Sequence, residues 1–128
     1  MLTQINTTDA PGAIGPYSQG IRCCDMLFTS GQLPMDPKTG EIVGDNVTAQ
    51  AHMVLKNLEA ILKEGGADFG TVMKTTCFLH DMADFAAFNE VYASYFTSDP
   101  KPARSCIAAK TLPRNVLCEI EAVACVKK

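Results

Sequence analysis

The sequence lacks the patterns that hold most metals and nucleotides. Its 128 residues include only two histidines, His52 and His80, and none of its six cysteines belongs to a CxxC pair. Zinc sites ordinarily use closely spaced Cys and His ligands, so we expect no bound metal. Neither a P-loop nor a GxGxxG sequence occurs, which excludes the phosphate-binding loops of those types.

Long apolar runs and an excess of basic residues are also absent. No run approaches the ~20 apolar residues that cross a bilayer. The N-terminal stretch MLTQINTTDAPGAIGPY has neither the basic start nor the apolar segment of a secretory signal. A net charge of −3 and a pI near 5.2 disfavour a general nucleic-acid binder, which is usually basic. We therefore expect a cytoplasmic protein that binds no membrane and for which nucleic acid is not the main partner.

The length and composition indicate one globular domain over residues 1–128. With 47% hydrophobic and 20% charged residues, the chain is unlike disordered proteins. A chain of this size buries about two thirds of its unfolded surface, so its core needs no crosslinks. Disulfides are also rare in the cytosol. We expect free thiols at all six cysteines, which are Cys23, Cys24, Cys77, Cys106, Cys118 and Cys125.

Apolar residues at helical spacing predict two helices. The first covers residues 46–64, and the second follows Asp81 or Asp84 and ends at Ser98-Asp99-Pro100. The second helix carries an aromatic stripe that is typical of a core-facing helix. The end signals of the first helix are the candidate N-caps Asp45 and Asn46 and the stop Gly65-Gly66.

β-branched and apolar runs between turn signals predict strands at residues 26–30, 71–79, 103–109 and 117–126. The stretch Asp36–Gly40 predicts a tight turn, because Pro37 fixes φ and Gly40 tolerates a positive φ. Two helices with about five or six strands indicate an α+β fold in which one sheet carries both helices on one face.

Side-chain alternation along the last strand separates two unlike faces. Cys118, Ile120, Ala122 and Ala124 form an apolar face that belongs under the helices, whereas the other face mixes carboxylates with apolar groups. In the preceding strand, Arg104 shares a face with Cys106 and Ala108. We expect Arg104 on the uncovered face, which is too apolar for solvent and too charged for a dry core. Two interpretations stay open, namely a subunit interface with polar clefts and a solvated face with an Arg–Glu pair. The mixed face of the last strand consists of Leu117, Glu119, Glu121, Val123 and Cys125.

Two segments carry a specific family resemblance. The stretch PARSCIAAKTLP at 102–113, followed by CEIEA at 118–122, resembles the signature of the Rid family of reactive intermediate/imine deaminases, also called the L-PSP ribonuclease family. The likeness extends over almost the whole chain and points to the RidA subgroup. Further matching stretches are AIGPY at 13–17, TSGQ at 29–32, PKTGE at 37–41, KTT at 74–76 and DFA at 84–86.

The resemblance implies a chorismate-mutase-like α+β fold, with one mixed sheet of about six strands and two helices on one face. It also implies a homotrimer with a barrel-like centre and clefts between neighbouring subunits. By resemblance, Arg104 binds the substrate carboxylate and Glu119 positions and activates water. The other implied substrate-binding residues are Tyr17, Ser30, Gly31, Asn89 and Cys106, with Cys106 contributing backbone groups rather than a nucleophilic thiol.

The activity implied is that of a 2-iminobutanoate/2-iminopropanoate deaminase, a hydrolase for the reactive enamine and imine products of pyridoxal-phosphate enzymes. Water attacks the imine carbon, and ammonia and a 2-keto acid leave. No cofactor is needed, because the substrate is already electrophilic. A nearby Arg104 is expected to favour the ionised form of Glu119. Two alternatives stay open, namely a single-stranded RNA endoribonuclease that inhibits translation, and a non-catalytic metabolite-binding or chaperone-like protein.

Overall fold

The computed structural model describes all 128 residues as one mixed six-stranded sheet with two helices. The predicted fold class is confirmed, and neither helix is long and apolar enough to cross a membrane. In chain order, the elements are β1 Leu2–Ile5, β2 Gly20–Cys23, β3 Met26–Thr29, α1 Val47–Glu64, β4 Val72–Leu79, α2 Phe85–Tyr95, β5 Ala103–Ala108 and β6 Cys118–Cys125.

The strand order across the sheet is β1-β2-β3-β6-β4-β5. Every neighbouring pair is antiparallel except β4 and β5, which run parallel because α2 forms the crossover between them. β6, the last strand in sequence, lies in the interior of the sheet, and β5 lies at its edge. This order places Glu119 on an interior strand and Arg104 on an edge strand.

Helix α1 forms where the periodicity predicts it and is capped at both ends. The side chain of Asn46 accepts a hydrogen bond from the Ala49 N–H, at 2.9 Å, so Asn46 is the N-cap. The helix stops at Gly65, and Gly66 has a φ of +85°, which favours glycine. Its apolar stripe is fully buried against the sheet and α2, with Val54, Leu55, Leu58, Ile61 and Leu62 at 0% exposure.

Helix α2 begins at Phe85, so of the two predicted starting points, Asp81 and Asp84, the structure has the later one. Asp81 caps a 3₁₀ turn over Met82–Asp84, accepting a hydrogen bond from the Ala83 N–H, and α2 follows from Phe85. The predicted aromatic stripe packs into the core. The rings of Tyr92 and Phe96 stack with centroids 4.4 Å apart.

The sheet has one covered face and one open face. The predicted inner residues of β6 are buried beneath the helices, with Cys118, Ile120 and Ala124 at 0% exposure. The opposite face, which we call the open face, has no covering element from this chain. Phe28 remains 47% exposed on it and Ile107 53% exposed. Their exposure leaves apolar surface on two separate strands of this face available for contact with a second chain.

Candidate functional site

A cavity of about 440 Å³ contains four of the predicted site residues. Tyr17, Ser30, Gly31 and Glu119 all line it, together with apolar side chains that include Ile14. Tyr17 is 51% exposed and Ile14 is 88% exposed, so this wall faces outward. The cavity can therefore accept a small molecule with an apolar portion beside one carboxylate.

Backbone pairing brings the loop after β3 beside the start of β6. Gln32 and Ile120 exchange both backbone hydrogen bonds, at 2.8 and 3.3 Å. Because the pair is antiparallel, Gly31 lies opposite Glu121, and Glu119 is its diagonal neighbour on the same face. On the other side of the loop, the Ser30 hydroxyl donates to the Ser18 carbonyl at 2.6 Å, which ties the Tyr17 segment to the same cavity.

Glu119 is partly buried in the cavity wall. Burial raises the pKa of the Glu119 carboxyl above its usual range, and the charge of Glu121 raises it further. Both glutamates project from the open face of β6. A carboxylate with a raised pKa is a stronger base when ionised, which suits a group that must take a proton from water.

Two buried amide side chains hold the loops that form the cavity, and neither is identified by the sequence patterns. Gln19 is 2% exposed, accepts from the Thr7 N–H and donates to the carbonyls of Ala10 and Pro11. Asn57, on α1, is fully buried and donates to the carbonyls of Leu33 and Met35 at 3.0 and 2.8 Å. Side chains fixed by several hydrogen bonds make the cavity wall rigid.

Arg114 is a further cavity residue that the sequence patterns do not assign. It and Asn115 both have φ values of +55°, an uncommon conformation for residues with a Cβ. The Arg114 guanidinium donates to the Gly40 carbonyl at 2.8 Å, so the turn at Gly40 is connected to the loop before β6. The sequence does predict a turn before the last strand. No local pattern predicts that Arg114, within that turn, adopts the left-handed backbone conformation.

Arg104 lies in a second cavity of about 360 Å³, which Asn89 also lines. The Nη1 atom of Arg104 donates to Asn89 Oδ1 at 2.7 Å. Its guanidinium lies 4.8 Å from the Tyr92 ring centroid and 5.5 Å from that of Phe85. The Tyr92 hydroxyl is in turn hydrogen-bonded to Thr75 Oγ1 at 2.7 Å. The guanidinium is thus oriented by fixed neighbours and retains free donors for an anion.

Cys106 follows Arg104 on the same face of β5 and is half-buried. Burial raises the pKa of its thiol, and the charge of Arg104 opposes this only in part. The thiol is therefore mainly protonated near neutral pH. A protonated thiol is a weak nucleophile, and the absence of a nucleophilic role for Cys106 stays a prediction.

Within one chain, the expectation that Arg104 shares the uncovered face with Glu119 is wrong. Arg104 pairs with Thr75 on β4, and Thr75 is fully buried on the helix side. Glu119 pairs with Phe78 on the same strand. Thr75 and Phe78 are three residues apart, so their side chains point to opposite faces. The predicted electrostatic support of Glu119 by Arg104 is accordingly not found within a single chain, where burial dominates.

The structure therefore divides the predicted site residues into two groups. Tyr17, Ser30, Gly31 and Glu119 surround the larger cavity, whereas Asn89 and Arg104 line the smaller one, with Cys106 beside Arg104 on β5. No group of three or more His, Cys, Asp or Glu side chains is arranged to hold a metal ion. The first group contains a carboxylate that can accept a proton, and the second contains a guanidinium that can bind an anion.

Comparison with known proteins finds matches along almost the whole chain. The family described as Endoribonuclease L-PSP matches residues 7–126. The RutC family protein y4sK of Sinorhizobium fredii is 52% identical over 123 residues, covering 96% of this chain and 97% of that protein. A 2-iminobutanoate/2-iminopropanoate deaminase of Escherichia coli K12 is 47% identical over 126 residues, covering 97% and 98%.

Solved structures confirm the fold. Escherichia coli TdcF, in a crystal structure with bound serine, superposes with a TM-score of 0.91 at 46% identity and covers 98% of this chain and 99% of its own. Yeast Mmf1 superposes with a TM-score of 0.95 at 38% identity, covering 99% and 100%. At these identities the likeness extends to the sequence as well as to the fold.

Proposed function

Because this chain belongs to the endoribonuclease L-PSP (Rid) family, we propose that it hydrolyses small 2-imino acids to 2-keto acids and ammonia. The substrates proposed are 2-iminobutanoate and 2-iminopropanoate, as in the relative from Escherichia coli. The observation that carries the proposal is the orientation of Arg104 by Asn89 and Tyr92, which prepares a bidentate site for a carboxylate.

Arg104 anchors the substrate through its carboxylate. A guanidinium presents a planar pair of donors that matches the two carboxylate oxygens. Charge-assisted hydrogen bonds of this kind contribute about 1.5–3 kcal/mol each. Asn89 occupies one donor of Arg104 and leaves the others available, so Asn89 is assigned a positioning role.

Glu119 acts as the base that activates water. The ionised carboxylate accepts a proton as water attacks the imine carbon, and the same proton is then available to the departing nitrogen. The C=N bond is replaced by C=O, and ammonia leaves with no change in oxidation state. Holding water and an already electrophilic imine in contact supplies several kcal/mol of the barrier reduction without a cofactor.

A complete site needs two copies of the chain. Arg104 lies on the helix side of an edge strand, whereas Glu119 lies on the open face of an interior strand. A neighbour that covers the open face can bring its own edge strand, and with it Arg104, to the larger cavity. Exposed Phe28 and Ile107 would be buried in such a contact. We propose a homotrimer with one site at each subunit boundary, which native mass measurement tests directly.

The size of the cavities favours a small amino-acid-like ligand. TdcF, at 46% identity, has been crystallised with serine bound. Serine carries the carboxylate and the 2-nitrogen that an imino acid also carries. By this similarity, we place the carboxylate at Arg104 and the side chain toward Tyr17 and Ile14.

A coupled assay tests the proposed function. Threonine dehydratase releases the imine of 2-ketobutyrate, and the appearance of the keto acid is followed with and without this protein. We expect faster appearance with wild type and no acceleration with Glu119→Gln, whereas the control Glu121→Gln, on the same strand and face, retains acceleration. Equal rates with and without wild-type protein would refute the proposal. Cleavage of single-stranded RNA that disappears with Glu119→Gln would favour the endoribonuclease activity named in the family description.

A further inference from the structure

Arg114 is held at the rim of the larger cavity by an anchored turn. It lies between Leu112 and Val116, which are 7% and 1% exposed and fix both ends of the turn in the core. The Asn115 N–H donates to the Leu112 carbonyl at 3.0 Å, and the Val116 N–H donates to the Pro113 carbonyl at 3.3 Å. Arg114 itself is exposed and lines the cavity. The fold therefore sets the position of the arginine.

The backbone of Arg114 has a conformation that residues with a Cβ seldom adopt. Its φ is +55° and its ψ is +23°, in the left-handed region where glycine and asparagine are the usual residues. Such conformations cost free energy and are concentrated at ligand-binding and catalytic sites. A glycine would suit this turn better, so the turn itself does not explain why an arginine is there.

The Arg114 guanidinium has donors to spare. Its Nη1 atom donates to the Gly40 carbonyl at 2.8 Å, and a guanidinium carries five N–H donors in all. No carboxylate forms an ion pair with it, because both ion pairs of the chain involve the C-terminal lysines. The pKa of Glu119 is raised by burial and by Glu121, with no opposing contribution from Arg114. The charge of Arg114 is thus available to a ligand.

We propose that Arg114 binds a second carboxylate at the side-chain end of the substrate, so that the site accepts dicarboxylic 2-imino acids of four or five carbons. This inference rests on the proposed imine hydrolysis, in which Arg104 from a neighbouring chain binds the first carboxylate at this cavity. Arg114 and Glu119 line the same cavity of about 440 Å³, which is within the usual range for small-ligand sites. The substrate itself enters this cavity, so the assembly that hydrolyses imines leaves it open.

The reaction is the same hydrolysis with one more anionic group on the substrate. Water adds to the C=N bond of 2-iminosuccinate, the C–N bond then breaks, and oxaloacetate and ammonia form without a change in oxidation state. The second carboxylate takes no part in these bond changes. Arg114 is therefore a specificity-determining residue, and its charge-assisted hydrogen bond should favour the diacid by about 10–100-fold.

The competing role for Arg114 is structural, as a link between the turn at Gly40 and the turn before β6. Loss of such a link would disturb the cavity for every substrate, whereas loss of a charge contact affects the diacid alone. The ratio of kcat/KM for the diacid to kcat/KM for the monoacid distinguishes the two roles. Arg114→Gln removes the charge but keeps an N–H donor, and Arg114→Lys keeps the charge.

The test compares 2-iminosuccinate with 2-iminobutanoate on the intact protein. Aspartate oxidase with catalase releases the first imine, and malate dehydrogenase reports oxaloacetate. Threonine dehydratase releases the second, and spontaneous hydrolysis is subtracted from both. We expect wild type to accelerate both reactions and Arg114→Gln to lower the diacid-to-monoacid ratio by about 10–100-fold, with most of the ratio restored in Arg114→Lys.

Two further cations serve as controls for position. Lys101 is exposed and lines the smaller cavity beside Arg104, and Lys110 is exposed and lines neither cavity. Lys101→Met and Lys110→Met should both keep the wild-type ratio. A fall in the ratio for Lys101→Met, with none for Arg114→Gln, would place the second carboxylate beside Arg104 and overturn the assignment to Arg114.

Two other results would overturn the inference. Acceleration of 2-iminobutanoate hydrolysis without acceleration of 2-iminosuccinate hydrolysis would do so and leave the proposed function intact, as would an unchanged ratio in Arg114→Gln. If neither imine is hydrolysed faster, the proposed function fails, and calorimetry then tests the anion site alone. Wild type should bind 2-ketoglutarate about 10–100-fold more tightly than Arg114→Gln does, with a smaller change for 2-ketobutyrate. Equal changes for the two keto acids would contradict a carboxylate contact at Arg114.

Discussion

Gly31 and Glu119 are packed so closely that a Cβ atom on residue 31 would overlap Oε2 of the carboxylate. The contact follows from the backbone pairing of Gln32 with Ile120, which fixes the two segments side by side. Gly31 therefore allows Glu119 to lie in the cavity wall in its observed orientation, in addition to any hydrogen bond its backbone offers to substrate.

Gly31→Ala should displace the Glu119 carboxylate and reduce turnover by about 100-fold, the cost expected for a misplacement near 1 Å. The matched control is Gly12→Ala, since a Cβ at Gly12 meets nothing within 4 Å. Steady-state kinetics in the coupled assay compare the two variants. Full activity in Gly31→Ala would show that the close contact has no catalytic importance.

Glu119→Gln keeps size and hydrogen bonding but cannot accept a proton. Turnover should fall by about 10²–10⁴-fold, the usual contribution of a general base. Binding of the product 2-ketobutyrate, measured by calorimetry, should stay within about tenfold of wild type, because the carboxylate anchor is elsewhere. A variant that turns over at the wild-type rate would exclude Glu119 as the base.

Arg104→Ala should abolish both turnover and 2-ketobutyrate binding, as it removes the charge that holds the substrate carboxylate. Arg104→Lys should also bind poorly, since one ammonium cannot replace the planar pair of donors. Lys110→Ala, which removes an exposed cation after the same strand, serves as the control. Normal keto-acid binding by Arg104→Ala would show that the carboxylate lies elsewhere.

The acid limb of the pH–rate profile should report Glu119. Within one chain, burial and then the charge of Glu121 raise the pKa of this carboxyl, whereas an Arg104 brought in by a neighbouring chain would lower it. Glu121→Gln removes a negative charge, makes ionisation easier and should move the limb to lower pH. Glu64→Gln, at the end of α1, should leave it unchanged. A limb that does not move in Glu121→Gln would contradict this assignment.

Strong local patterns made most of the fold predictable. The α1 stripe and its cap at Asn46 and the alternation along β6 all appear in the structure as expected. Strands β1 and β2 were not assigned individually, because four-residue strands in a segment rich in turns carry little periodicity. The sequence also could not show that β6 enters the interior of the sheet, since strand order depends on long-range pairing.

The site was harder to predict than the fold, because it depends on the relative faces of two strands. Alternation predicts which residues of β5 share a face, but the register with β4 decides which face that is. In the observed register of β5 with β4, the Arg104 side chain lies on the helix side beside Tyr92, and Glu119 lies on the opposite face. The sequence patterns also do not identify Gln19 and Asn57, the buried amides that hold the cavity loops. Their hydrogen-bond partners are backbone carbonyls, which carry no sequence signature.

The most direct test of a site shared between two copies is the mixing of two inactive variants. Arg104→Ala and Glu119→Gln chains, co-expressed in equal amounts with different tags, can form boundaries that combine the intact Arg104 of one chain with the intact Glu119 of the next. Random assembly into a ring restores about a quarter of the sites, so the mixed assemblies should regain a similar fraction of wild-type imine hydrolysis. Mixed assemblies as inactive as each variant alone would contradict the two-copy site.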